Sequence, residues 1–191
     1  MLTRLARPAV SLLIVMAVLL GLLYPLVVTV VAKTAFGREA DGSLVYQDGK
    51  LIGSSLIGQS FSDPGHFWGR PSATTPQPYN ALGSTGSNLG PLNPALLKQV
   101  EDNLKALRAA DPENRLPVPV DLVTASASGL DPHITPAAAY YQAARVARAR
   151  NLPRERVEAV IAAHEERALL GVLGERRINV LELNLALDRL H

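Results

Sequence analysis

Residues that could carry out chemistry are few and scattered in this sequence of 191 residues. It contains no cysteine, which excludes disulfides, thiolate metal sites and a cysteine nucleophile. Its four histidines, His66, His133, His164 and His191, show neither HExxH nor HxH spacing. The sequence therefore predicts no metal site and no catalytic residue.

The loop GSTGSNLGP, residues 83–91, has the small polar composition of a phosphate cradle. A Walker loop also needs a lysine that reaches the phosphates, and no lysine occurs between Lys50 and Lys98. Two readings stay open. Either the loop is tightly hydrogen-bonded and packed against the following helix, or it contacts a ligand through Ser84, Ser87 and Asn88. The first is favoured.

Two further polar groups have a chemical and a structural interpretation. His133 near Asp131 could act as a general base, but no GxSxG nucleophile motif accompanies them, which favours a capping or turn role. Arg145, Arg148 and Arg150 are predicted to form a solvated helix face, with contact to a protein or to anionic lipid as the alternative.

The elements that must position these groups begin with a span of 25 residues, 8–32, that carries no charged side chain. At about 1.5 Å per residue, roughly 20 residues cross a bilayer core, so the span predicts one transmembrane helix. Because Arg4 and Arg7 precede it, residues 1–7 are expected in the cytoplasm and residues 33–191 in the periplasm or outside the cell. A cleaved signal peptide is the alternative, although its apolar region would be shorter.

The remainder is long enough for one compact domain and carries 17 basic and 17 acidic residues. This balance gives no support to nucleic-acid binding. Asp48-Gly49 between two apolar runs predicts a β-hairpin. The segment 58–94 holds six glycines and six prolines, and its large side chains indicate a packed, irregular segment: Phe61, Phe67, Trp68, Tyr79 and Leu89.

Helical signals dominate the second half of the chain. Helices are predicted to begin at Asn93-Pro94, at Thr135-Pro136 and at Pro153. Asn179 resembles a cap for a last helix, although alternating leucines leave a strand open, and 118–124 is predicted as a short edge strand. The predicted fold is therefore a single N-terminal transmembrane helix plus one α+β extracytoplasmic domain, with a small sheet, several helices and a long Gly/Pro-rich irregular segment.

Four segments behind this anchor, in this order, resemble the KdpC family, the small subunit of the bacterial potassium-transporting Kdp ATPase: IGQSFSDPGHFWGRPSAT, YNALGSTGSNLGPLNPAL, SASGLDPHITPAAAYYQAARVARAR and NVLELNLALD. The resemblance covers nearly the whole chain. Thr85 stands where a second glycine is expected, and Leu92 stands where threonine is common.

The resemblance implies a non-catalytic subunit that joins a potassium-channel-like subunit and a P-type ATPase subunit, in contact with membrane lipid. This chain lacks the DKTGT sequence, so phosphoryl transfer would belong to the ATPase subunit, and ATP and potassium would be handled by the complex. The family is described as a catalytic chaperone that raises the pump's affinity for ATP, with a nucleotide contact proposed near the Ser/Gly/Asn loop.

The predicted topology conflicts with direct nucleotide contact, because it places that loop outside while ATP is cytoplasmic. Assembly and stabilisation of the complex are therefore expected, with Tyr79, Asn80, Ser87 and Asn88 near the partner. A free-standing membrane-anchored binding module is the alternative. A stand-alone enzyme would need a nucleophile or a metal that the sequence does not offer.

Overall fold

The structure, a computed structural model, describes residues 2–168 and 171–190. The chain divides into two compact units, residues 1–52 and 53–191.

The first unit begins with a long helical region made of α1 (Leu2–Val18), a π-helical turn (Leu19–Leu23) and α2 (Tyr24–Ala35). In the π turn, the Tyr24 N–H donates to the carbonyl of Leu19, one residue farther back than in an α-helix. Pro25, which has no N–H, follows directly, and such a turn relieves the clash that proline causes inside a helix. Residues Arg4–Ala35 are long and apolar enough to cross a membrane.

A short helix, α3 (Gly37–Ala40), leads into a hairpin of β1 (Leu44–Gln47) and β2 (Lys50–Ser54). Asp48 and Gly49 form the turn with φ angles of 51° and 76°. Two consecutive positive φ angles are typical of the type I′ turn, as the Asp-Gly pair predicts.

The second unit contains four helices and a small antiparallel sheet among its described residues. The helices are α4 (Pro94–Ala110), α5 (Pro136–Arg150), α6 (Arg154–Ala163) and α7 (Val180–Asp188). The strands are β3 (His133–Ile134), β4 (Glu165–Glu166) and β5 (Arg177–Asn179), in the order β3–β5–β4. His133 lies opposite Asn179, and Glu165 opposite Ile178.

Side-chain caps fix where three of these helices begin. Asn93 accepts from the N–H of Ala95, and Thr135 accepts from that of Ala138. Asn179 accepts from the N–H of Glu182, so the last segment is a helix and not the alternative strand.

The predicted edge strand at 118–124 is wrong. Val120–Leu122 is a 3₁₀ turn, closed by bonds from the N–H of Val123 and the hydroxyl of Thr124 to the Val120 carbonyl. The side chain of Asp121 is buried and accepts from the Thr135 N–H at 2.7 Å. Local hydrogen bonds therefore satisfy a backbone that a ladder would otherwise have to pair.

The core lies where α5, α6, α7 and β5 meet. Its fully buried large side chains are Phe67, Ile134, Ile161, Ile178, Leu183, Leu187, Val146 and Val157. Helix α4 adds Val100, Leu104 and Leu107, whereas Leu97 on the same predicted face is 57% exposed. Phe67 comes from the irregular segment, which makes that segment part of the core.

Candidate functional site

Residues 55–93, all of them described, form neither helix nor strand, yet their backbone is held by buried amide side chains. Asn184 of α7 accepts from the Phe67 N–H at 2.8 Å and donates to the Phe67 carbonyl at 3.0 Å. Gln142 of α5 binds Trp68 in the same way, at 2.9 and 3.1 Å. Two side chains thus replace the partner strand that an extended backbone normally requires.

Arg145 of α5 also binds the irregular segment. Its guanidinium donates to the carbonyls of Pro64 at 2.5 Å and His66 at 3.0 Å, and it lies 4.4 Å from the centre of the Trp68 ring. Arg145 is only 5% exposed, and burial lowers its pKa to about 10. The predicted solvated arginine face is therefore wrong at Arg145, because unpaired carbonyls of the irregular segment require a buried donor there.

The other two arginines of that predicted face also have partners. Arg150 donates to the Gly65 carbonyl and forms an ion pair with Asp188, which also contacts His66 at 3.1 Å. Burial raises the pKa of Asp188, but its hydrogen bonds from Arg150 and His66 outweigh burial and lower it. Arg148 is half-exposed and pairs with the buried carboxylate of Asp111.

A hydroxyl and amide network shapes the next part of the segment, around the cis peptide bond Thr75–Pro76. The Ser72 hydroxyl donates to the Gly129 carbonyl at 2.7 Å and accepts from the Tyr79 N–H at 2.9 Å. Asn80 donates to the Thr75 carbonyl at 2.8 Å. Local bonds thus fix the backbone of this stretch, and the bond to Gly129 ties it to the turn at 126–129.

The GSTGSNLGP loop forms hydrogen bonds with the turn at residues 126–129. Its packing against the following helix stays a prediction. The Ser84 hydroxyl and the Thr85 N–H both donate to the Ser128 carbonyl at 3.0 Å. A Cβ on Gly86 would lie 2.8 Å from the Ala127 carbonyl oxygen, so the two backbones touch. This close backbone packing is what the small residues provide.

Two exposed leucines flank this loop. Leu82 is 98% exposed and Leu92 is 93% exposed, although the neighbouring backbone is hydrogen-bonded on both sides. Both side chains are therefore large, apolar and in solvent beside a hydrogen-bonded backbone.

The predicted partner-contact residues lie on this loop or shortly before it, and they differ in burial. Asn80 and Ser87 are half-buried and Asn88 is exposed, with a φ of 52°. Tyr79 instead turns inward, where its hydroxyl donates to the Arg70 carbonyl at 2.5 Å and its ring covers Gly58 and Gly69. Burial raises the pKa of Tyr79 to about 12. Tyr79 thus has the surroundings of a packing residue.

Asp131 and His133 form a turn beside a cleft of about 250 Å³. Asp131 accepts from the backbone N–H of His133 at 3.0 Å and from Arg70 at 3.3 Å. Burial raises the pKa of Asp131, but the bonds to His133 and the charge of Arg70 outweigh burial and lower it. The ionised carboxylate therefore serves as an acceptor that fixes the turn, as the sequence predicts.

Comparison with known proteins gives a family and close relatives. The family described as "K+-transporting ATPase, c chain" (KdpC) matches residues 6–189. A protein of Polaromonas naphthalenivorans (strain CJ2), named "Potassium-transporting ATPase KdpC subunit", is 65% identical over 184 residues, covering 96% of this chain and 94% of the relative.

The chain belongs to the KdpC family.

Other relatives carry the same name, including a KdpC subunit of Variovorax paradoxus (strain S110), 65% identical over 182 residues, or 95% of this chain and 94% of the relative. A KdpC subunit of Dechloromonas aromatica (strain RCB) is 60% identical over 184 residues and 96% of both chains. The resemblance to KdpC that the sequence segments indicate is thus confirmed.

In this KdpC chain, sequence reasoning missed the residues that hold the irregular segment, Gln142, Arg145 and Asn184. The sequence of α5 offers one signal for two of them: Gln142 and Arg145 lie three residues apart, on one helix face, among small and apolar residues. Among residues 2–168 and 171–190, no group of three or more His, Cys, Asp or Glu side chains is placed to hold a metal ion.

Proposed function

We propose that this chain is the accessory subunit of a P-type, ATP-driven, high-affinity potassium uptake complex, without turnover of its own. Its partners would be a potassium-channel-like subunit and a P-type ATPase subunit. The relatives' names support a subunit of a potassium-transporting ATPase. Its role is to supply binding free energy that assembles and stabilises the complex.

The proposed topology is a cytoplasmic segment 1–7, a transmembrane helix 8–32 and an extracytoplasmic domain 33–191 in the cell inner membrane. The basic residues Arg4 and Arg7 before the span support it. ATP is then on the other side of the membrane from the Ser84–Asn88 loop. The chain would act as a catalytic chaperone for ATP binding through the conformation of its partners, and not by touching the nucleotide.

One observation carries the assembly proposal: Leu82 and Leu92 are almost fully exposed and flank a loop that is hydrogen-bonded to the turn at 126–129 through Ser84 and Thr85. A preorganised loop loses little conformational entropy on docking. Burying one leucine contributes about 1.5–3 kcal/mol, and about 1.4 kcal/mol is tenfold in affinity. The two leucines could therefore change affinity by about a hundredfold or more.

The test is co-purification of the complex from membranes with the double variant Leu82→Ser/Leu92→Ser. We expect the partner subunits to be lost or strongly depleted, while the thermal unfolding of the isolated full-length chain stays unchanged, because neither side chain is buried. The matched control is Val172→Ser/Leu173→Ser, whose side chains are 80% and 58% exposed in the turn between β4 and β5.

Equal recovery of partners with both double variants would contradict the proposed contact. Asn88→Ala provides a second probe, expected to weaken association more than folding.

ATP hydrolysis by the purified chain alone, above a matched blank, would contradict the absence of turnover. Digestion of 33–191 by protease added outside spheroplasts is expected, and its protection would reverse the topology.

A further inference from the structure

The hairpin that follows the long helix has a face of large, partly exposed apolar side chains. Neither β1 nor β2 contains a buried residue. Leu44 and Tyr46 alternate along β1 and therefore share a face, with 40% and 58% of their surface exposed. The two-residue turn implies that Leu51, 56% exposed, lies opposite Tyr46 on that same face. We call Leu44, Tyr46 and Leu51 the hairpin face.

An isolated two-stranded hairpin is marginally stable in water and needs a surface to pack on. The three side chains of the hairpin face are large and keep 40–58% of their surface exposed, which leaves room for a further surface to cover them.

The connection from the long helix keeps the hairpin close to the helix end. The Phe36 N–H donates to the Ala32 carbonyl, the Ser43 N–H donates to the Arg38 carbonyl, and the Asp41 carboxylate lies 3.5 Å from the Lys33 ammonium. Leu44 is three residues beyond Asp41, a distance of at most about 10 Å of extended chain. Because Lys33 is the first charge after the apolar span, Asp41 beside it lies near the end of that span, and Leu44 follows within the same distance of about 10 Å.

We propose that the hairpin face lies in the interfacial layer of the lipid bilayer, beside the end of the transmembrane helix. Tyrosine and leucine suit this layer, where a ring or alkyl chain meets acyl chains and a hydroxyl reaches the headgroups. The polar headgroup region adds several Å on each side of the hydrocarbon core, a depth that the short connection reaches.

The contact is apolar and not electrostatic. Charged residues around the connection and the turn are balanced, with three of each sign: Lys33, Arg38 and Lys50 against Glu39, Asp41 and Asp48. The hairpin face should therefore contact neutral and anionic lipids equally. This inference goes beyond the assembly function, because it requires the span to be in lipid but no partner subunit.

The experiment uses the full-length chain in phosphatidylcholine vesicles. The chain has no cysteine, so one introduced cysteine is a unique site for an environment-sensitive fluorophore. Tyr46→Cys and Leu51→Cys test the hairpin face, Val45→Cys tests the opposite face of β1, and Val172→Cys gives the aqueous reference. Leu20→Cys marks the middle of the span. Quenching is measured with lipids that carry a nitroxide at a shallow acyl carbon.

We expect quenching at residues 46 and 51 to exceed that at residue 172 by about twofold or more, with residue 45 between them, since an interfacial face is within reach of the quencher. The same result is expected when a fifth of the lipid is phosphatidylglycerol. All five sites are at least partly exposed, so labelling leaves the fold intact.

Four outcomes would overturn the proposal. The first is aqueous-level quenching at residues 46 and 51. The second is a label at residue 46 or 51 that leaves the aqueous environment only when the partner subunits are reconstituted together with the chain, which would make the hairpin face a protein contact. The third is quenching that depends on anionic lipid. The fourth is failure of a deep nitroxide to quench the label at residue 20, which would remove the span from the bilayer.

Discussion

Replacing Asn184 with leucine should destabilise the second unit through two backbone groups on another segment. Asn184 is 2% exposed and satisfies both the N–H and the carbonyl of Phe67, which is itself fully buried. Leucine has a similar volume, so it leaves little cavity but leaves both groups without a partner. Each unsatisfied buried group costs about 1–3 kcal/mol, so the expected loss in unfolding free energy is about 2–6 kcal/mol. Small domains have only about 5–15 kcal/mol in total.

Urea unfolding of the full-length chain in detergent measures this loss, with the fluorescence of Trp68 as the probe. Trp68 is the single tryptophan and follows Phe67 directly. The control is Gln99→Leu on the exposed side of α4, which should change the unfolding free energy by less than about 0.5 kcal/mol. A loss below about 1 kcal/mol for Asn184→Leu would refute the reasoning that the amide substitutes for a strand.

Two further predictions concern charge and loop geometry. The pKa of Asp188 is lowered in the folded chain, so its contribution to stability is complete above its ordinary pKa, near about 4, and is lost as the pH falls through the lowered value. The free energy of unfolding, measured with urea, should therefore fall more steeply below about pH 4 in the original chain than in Asp188→Asn. Equal slopes of unfolding free energy against pH would contradict this role. Gly129→Ala should cost about 1–3 kcal/mol, because Gly129 has a φ of 66° and a Cβ would lie 2.6 Å from the Thr85 carbonyl oxygen. Gly90→Ala, with no atom within 4 Å, is its control in thermal unfolding and should be near neutral.

Local signals predicted the regular elements well. The Asp-Gly turn and the caps at Asn93, Thr135 and Asn179 each depend on neighbours within about four residues. Because their hydrogen bonds and backbone angles depend on residues close in sequence, a short stretch of sequence is enough to predict them. The edge strand at 118–124 failed because prolines and valines suit both a strand and a turn, and distant partners decide between them.

The irregular segment shows where sequence reasoning ends. Its packed nature follows from its large side chains, but the identity of its partners does not. Arg145 looks like a solvated charge in its own helix, and only the carbonyls of Pro64 and His66, about 80 residues away, explain its burial. Tyr79 likewise resembles a surface aromatic until the glycines it covers are placed beside it.

The bond between Phe67 and Asn184 joins positions 117 residues apart, which has a consequence for the order in which the chain can fold. During synthesis, the irregular segment emerges long before α7, and closing so long a loop must precede any gain from the contact. The backbone of Phe67 therefore remains without its final partner until α7 has been synthesised. A chain that stopped before Asn179 would keep the contacts of α5 with Trp68 but leave the Phe67 N–H and carbonyl unpaired, so α7 is needed to complete the packing of the irregular segment.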